Sequence, residues 1–162
     1  MKKILVFALL LSFVLTMGIA FAEKEKKCVW EDPNTTKSNL TKKISWDVHK
    51  WEVVLKSGRL DIQMLKNKRK ILIDNGVNYF TAAGTGIGPI VVYKCGNELR
   101  YFHRRFKGVE GQKGTFYKGD VKGNVKKIGI IGSKDGVWIH VVTADKKLYK
   151  YWIDEKGATL KK

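Results

Sequence analysis

Three histidines are the groups through which this chain would most readily move a proton, and each has a different setting. His140 lies in Trp138-Ile139-His140-Val141-Val142, where strand alternation puts it on one face with Trp138 and Val142. That suits a strand histidine better than a catalytic base. His103 stands among Arg100, Arg104, Arg105 and Lys107, whose charges favour the neutral ring. His49 neighbours Asp47 and Trp51, with no partner at metal-ligand spacing. No serine occupies a G-x-S-x-G context, and the acids are too scattered for a two-carboxylate glycosidase pair. Asp61, Asp120, Asp135 and Asp154 fall in or near turns, where the side chain serves the backbone. Gly84-Thr85-Gly86-Ile87-Gly88 is glycine-rich like a phosphate cradle, but Pro89 and a β-branched run follow where a helix N-terminus is needed. The sequence therefore implies no metal and no cofactor, and leans away from an enzyme.

Two basic clusters suit binding instead. Lys66-Asn67-Lys68-Arg69-Lys70 sits at a predicted turn, so its charges converge at one tip. Arg100-Tyr101-Phe102-His103-Arg104-Arg105-Phe106-Lys107 interleaves cations with aromatics, and on a strand Arg100, Phe102, Arg104 and Phe106 share a face. Such a surface can hold polyanions, although the same pattern fits arginines that snorkel over a hydrophobic sheet. The candidate ligand contacts are Lys68, Arg69, Arg100, Phe102, Arg104, Arg105 and Trp152. Five tryptophans and six tyrosines would stack sugars well, but most must fill the core of a small β domain.

These residues need a scaffold, and the chain begins with an address for it. Met1-Lys2-Lys3, an apolar run to Ile19 and Ala20-Phe21-Ala22 read as a signal peptide over residues 1–22, cut after Ala22. The expected location is the periplasm or the cell exterior. No second apolar stretch of spanning length follows, so no transmembrane segment is expected after cleavage. The net charge of +17 points to acidic partners, and outside the cytoplasm nucleic acid is not the favoured one. Cys28 and Cys95 are the only cysteines, and an even count in an exported chain predicts a disulfide between them.

Residues 23–43 read as a polar N-terminal arm and 44–162 as a single β domain. Turn signals at Ser57-Gly58, Asn75-Gly76, Gly96-Asn97, Asp135-Gly136 and Lys146-Lys147 separate short apolar runs. They predict an all-β fold of about ten to twelve antiparallel strands in hairpins. Ile44, Val48, Trp51 and Leu55 also fit the spacing of a short helix. A weak repeat aligns Val91-Val92 with Val141-Val142 and Arg100-Tyr101-Phe102 with Lys150-Tyr151-Trp152; Val53-Val54 and Leu60 form a fainter third copy. Three units suit either a β-trefoil or propeller-like blades, and three blades are too few to close a ring without a dimer. Gly136 to Trp152 resembles the two inner strands of a tectonin- or tachylectin-type blade.

The expected function is an exported, non-enzymatic, lectin-like binding protein whose ligand is a glycan or an acidic envelope polymer. A protein-binding inhibitor or envelope assembly module is the second reading, with a protein partner or a second copy of the chain. A small secreted hydrolase is the third.

Overall fold

The computed structural model describes residues 28–35, 38–104, 111–119 and 121–161; the signal peptide expected over residues 1–22 lies outside them. Among these residues, thirteen strands form three antiparallel sheets. The first sheet is a meander of β2 (Asn39–Trp46), β3 (His49–Lys56), β4 (Arg59–Met64) and β5 (Lys70–Asp74). The middle sheet repeats the pattern with β6 (Val77–Thr85), β7 (Gly88–Cys95), β8 (Glu98–His103) and β9 (Gln112–Tyr117). One helical turn, α1 (Val121–Asn124), leads into the third: β10 (Val125–Gly132), β11 (Val137–Thr143), β12 (Leu148–Asp154) and β13 (Gly157–Lys161). A short strand near the N-terminus, β1 (Val29–Glu31), pairs with the outer edge of β10.

Local chemistry explains the hairpins. Ser57 and Gly58 both take positive φ, 49° and 80°, as the tight turn between β3 and β4 requires. The sheets stack because β7 has no solvent face. Ile90 and Val92 turn toward the third sheet and pack with Ile128, Val137, Ile139 and Ile153. Val91 and Tyr93 turn the other way and pack with Trp51, Val53, Leu60 and Ile62. Alternate residues of one strand thus feed two cores, which is why β7 reads as a continuous apolar run.

The weak repeat falls on equivalent strands. Val53-Val54, Val91-Val92 and Val141-Val142 lie on the second strand of each four-strand meander, and Leu60, Arg100–Phe102 and Lys150–Trp152 on the third. The sheets stay separate, as blades do, and the described strands close no barrel. Gly136 to Trp152 covers β11 and most of β12, neighbours in their five-stranded sheet.

Four expectations need correction. No helix forms around Val48: Ile44 and Trp51 pair across a β2–β3 hairpin, and Val48 is exposed at its turn. Asn75-Gly76 closes no hairpin. Gly76 takes φ 71°, but β5 pairs with β4 and β6 with β7, so this turn links two sheets. The polar arm is more ordered than its composition suggests, because β1 and most of β2 fall within 23–43. Lys42 Nζ binds Glu31 Oε1 at 2.7 Å and Thr81 Oγ1 at 3.0 Å, tying β1, β2 and β6 together. Finally, Cys28 and Cys95 are free thiols. Cys28 rests beside Gly129, whereas Cys95 Sγ contacts the Asn75 carbonyl at 3.5 Å. Between them β1 runs lengthwise along β10. Asn34 of the arm accepts a 2.9 Å hydrogen bond from Lys94, the neighbour of Cys95. The two thiols thus have separate surroundings, and no disulfide joins them.

Candidate functional site

The candidate ligand contacts read from the sequence do not form one open face. Phe102 is 1% exposed and belongs to the core between the first and middle sheets. Arg100 is held by Glu98 at 2.9 Å and Asp74 at 3.4 Å. Arg104 is 6% exposed at the end of β8. Lys68 and Arg69 stand exposed in the β4–β5 turn, and Arg105 lies outside the described residues. Trp152 is on the third sheet, away from the others.

The histidines do not converge either. His49 stacks on Trp51 with ring centroids 5.9 Å apart, His103 is fully buried with Nε2 3.4 Å from the Ile87 carbonyl oxygen, and His140 sits on β11. The glycine-rich segment is a tight β6–β7 turn, closed by Thr85 Oγ1 donating to the Gly88 carbonyl at 2.6 Å.

The outer face of the third sheet has a different character. Register places Trp30, Gly129, His140, Lys150 and Lys161 in one cross-strand row. Ile131, Trp138, Trp152 and Thr159 form the next, and Lys127, Val142 and Leu148 another. Trp138 and Trp152 meet with centroids 4.9 Å apart at 55°, and Trp152 Nε1 donates to Asp154 Oδ2 at 2.9 Å. The Trp30 and His140 rings lie 6.0 Å apart. Burial, and then the charge of Lys150, hold the His140 ring below its usual pKa. The outer face of the first sheet carries Thr41, Lys43, Glu52, Gln63 and Lys70, with Val54, buried Asp61 and exposed Leu72, and no tryptophan among them.

At one end of the aromatic face is a recess of about 530 Å³, lined by Trp30, Lys126, Lys127, Val142, Thr143, Ala144 and Lys146. Its construction follows from the strand ends. The register shift between Val125 and Lys127 leaves both Lys126 and Lys127 exposed, and the β11–β12 turn brings Lys146 to the same end. Trp30, 44% exposed, forms a wall because Gly129 leaves room for it: a Cβ there would run into Cys28 Sγ and the indole. No described residue forms an ion pair with Lys126, Lys127 or Lys146. Nearby Asp145 is already taken. Lys147 at 2.8 Å and the Thr143 hydroxyl at 2.6 Å push its carboxyl down to about 2.

Comparison with family models, curated proteins and solved structures gives no match. The site must therefore be read from its own chemistry: a flat indole, an apolar floor and three uncompensated ammonium groups. Sequence reasoning missed Trp30, Lys126, Lys127 and Lys146. The doublets Lys126-Lys127 and Lys146-Lys147 at the ends of successive strands were the available signal. Nothing local placed Trp30 beside them.

Proposed function

We propose that this protein is an exported, non-enzymatic binding protein for acidic polysaccharide, held on the outer face of its third sheet. The observation that carries this is the recess walled by Trp30 and rimmed by Lys126, Lys127 and Lys146. A sugar ring presents an apolar face that packs on indole, while its carboxylate, phosphate or sulfate groups meet the ammonium groups. Trp138 and Trp152 continue the aromatic track along the sheet. A recess combining apolar lining with a few polar groups is an ordinary binding-site composition. The signal-like residues 1–22 and the net charge of +17 favour an anionic envelope or extracellular ligand.

Retention on an immobilised acidic polysaccharide tests the reading. Wild type should bind at low salt and elute as salt rises. Trp30→Ala should weaken binding about tenfold, or ~1.4 kcal/mol. Replacing Lys126, Lys127 and Lys146 with Gln should weaken it further and flatten the salt dependence. Wild type that passes through both acidic and neutral glycan columns unretained overturns the proposal. Stoichiometric capture of a protein without glycan retention would favour the inhibitor or assembly-module reading.

A further inference from the structure

The contact between β5 and β8 is charge-matched at one end and mismatched at the other. At the matched end, Arg100 pairs with Asp74 at 3.4 Å, and Tyr93 donates its hydroxyl to the same carboxylate at 3.0 Å. In the middle, Phe102 packs among Ile71 and Ile73, and Lys113 reaches across to the Ile73 carbonyl. At the far end Arg104 lies within reach of the charge of Arg69. The Arg104 backbone amide is fixed on the Pro89 carbonyl at 3.2 Å, its residue is 6% exposed, and its Nη1 is buried with no hydrogen-bond partner. Arg69 is fixed by its turn: Lys68 takes φ 53°, and the Arg69 amide donates to Asn67 Oδ1 at 3.1 Å. Burial, and then the charge of Arg69, lower the pKa of Arg104. Among the described residues no carboxylate pairs with either arginine.

A buried, unpaired guanidinium beside a second cation is costly, and a protein keeps one where an anion completes it. We infer that Arg69 and Arg104 form a site for a tetrahedral oxyanion, phosphate or sulfate, at the junction of the first and middle sheets. Two facing cations call for a divalent anion, since a single carboxylate would neutralise only one. The planar guanidinium fork presents paired N–H groups at the spacing of phosphate or sulfate oxygens. This unites the two basic clusters that are remote in sequence, and it is separate from the Trp30 recess on the third sheet.

Calorimetric titration of the whole chain with inorganic phosphate and with sulfate, in a chloride buffer, tests the site. One saturable site is expected in wild type, weakened at least tenfold in Arg69→Gln, whose exposed side chain can be changed without disturbing the core. Trp30→Ala should bind phosphate as wild type does, so failure here is distinguishable from failure of the polysaccharide reading. Arg104→Lys keeps the charge but loses the fork, and should also bind more weakly. In chloride buffer without phosphate or sulfate, Arg69→Gln should melt above wild type, because like-charge repulsion is relieved. Phosphate should reverse that order by stabilising wild type alone. Competition by a sulfated polysaccharide, absent with its unsulfated form, would assign the anion to a polymer; absence of competition would assign it to a free ion. The inference is overturned if wild type shows no saturable binding, or if Arg69→Gln binds phosphate equally well.

Discussion

His140 reports on the third-sheet face because its proton competes with the charges around it. Burial first, then Lys150, lower its pKa in the folded chain below the unfolded value of ~6.5. Between those two values the unfolded chain binds more protons, so stability rises with pH through that window. Conversely, stability is lost as pH falls from the unfolded value toward the folded one. Urea midpoints at pH 7.5 and pH 5 should therefore drop more for wild type than for His140→Gln; equal drops would remove His140 as the source. The same ring senses the ligand. An anionic polysaccharide seated against Trp30, 6.0 Å away, offsets Lys150 and should raise the His140 pKa in an NMR titration. An unmoved His140, with binding intact, would place the polymer elsewhere.

At the scale of elements, the decisive piece is β1, three residues long and paired only with β10. So short a strand stays in place through what it packs on, and Gly129 provides the surface. Gly129→Ala would put a methyl group into Cys28 Sγ and the Trp30 ring. It should lift β1 from the edge, cost about 1–3 kcal/mol as overpacking does, and lower polysaccharide affinity to that of Trp30→Ala. Amide exchange should then quicken at Val29–Glu31 but not in β11; protection retained at β1 would refute this. This element also marks where the sequence stops being legible. Turn chemistry read out the β3–β4, β7–β8 and β11–β12 hairpins, where Ser57-Gly58, Gly96 and Lys146 take positive φ, and also the β10–β11 hairpin, whose Asp135-Gly136 turn needs none. It misread Asn75-Gly76 because a turn fixes the backbone angle and not the partner strand. β1 carries only Val-Trp-Glu and no periodicity, so its place on β10 is set by tertiary contacts such as Gly129. The separation of Cys28 from Cys95 follows from that same placement. Arg104 looked like a surface cation because alternation cannot tell a solvent face from one covered by a neighbouring sheet.

The whole molecule is a stack whose middle sheet has no free side. Ile90 serves one core and its neighbour Val91 the other. If either outer sheet left, the middle sheet would expose one entire apolar face. At ~25 cal/mol per Å², the loss would exceed what so marginal a domain holds in reserve. The three meanders are thus alike in pattern but should not fold as independent units, unlike repeats joined by weak interfaces. Ile90→Ala should destabilise by about 2–5 kcal/mol, and Val91→Ala by somewhat less because fewer buried atoms are removed. In both variants, and in wild type, unfolding should remain one transition. The indoles allow this to be followed sheet by sheet: Trp51 is fully buried in the core of the first and middle sheets, while Trp138 and Trp152 ride on the third. Two variants, one keeping only Trp51 and one keeping only Trp138 and Trp152, should give coincident urea midpoints by fluorescence, also after Ile90→Ala is added. If the third-sheet signal is lost before that of Trp51, the two cores are separable, and the middle sheet does not couple them.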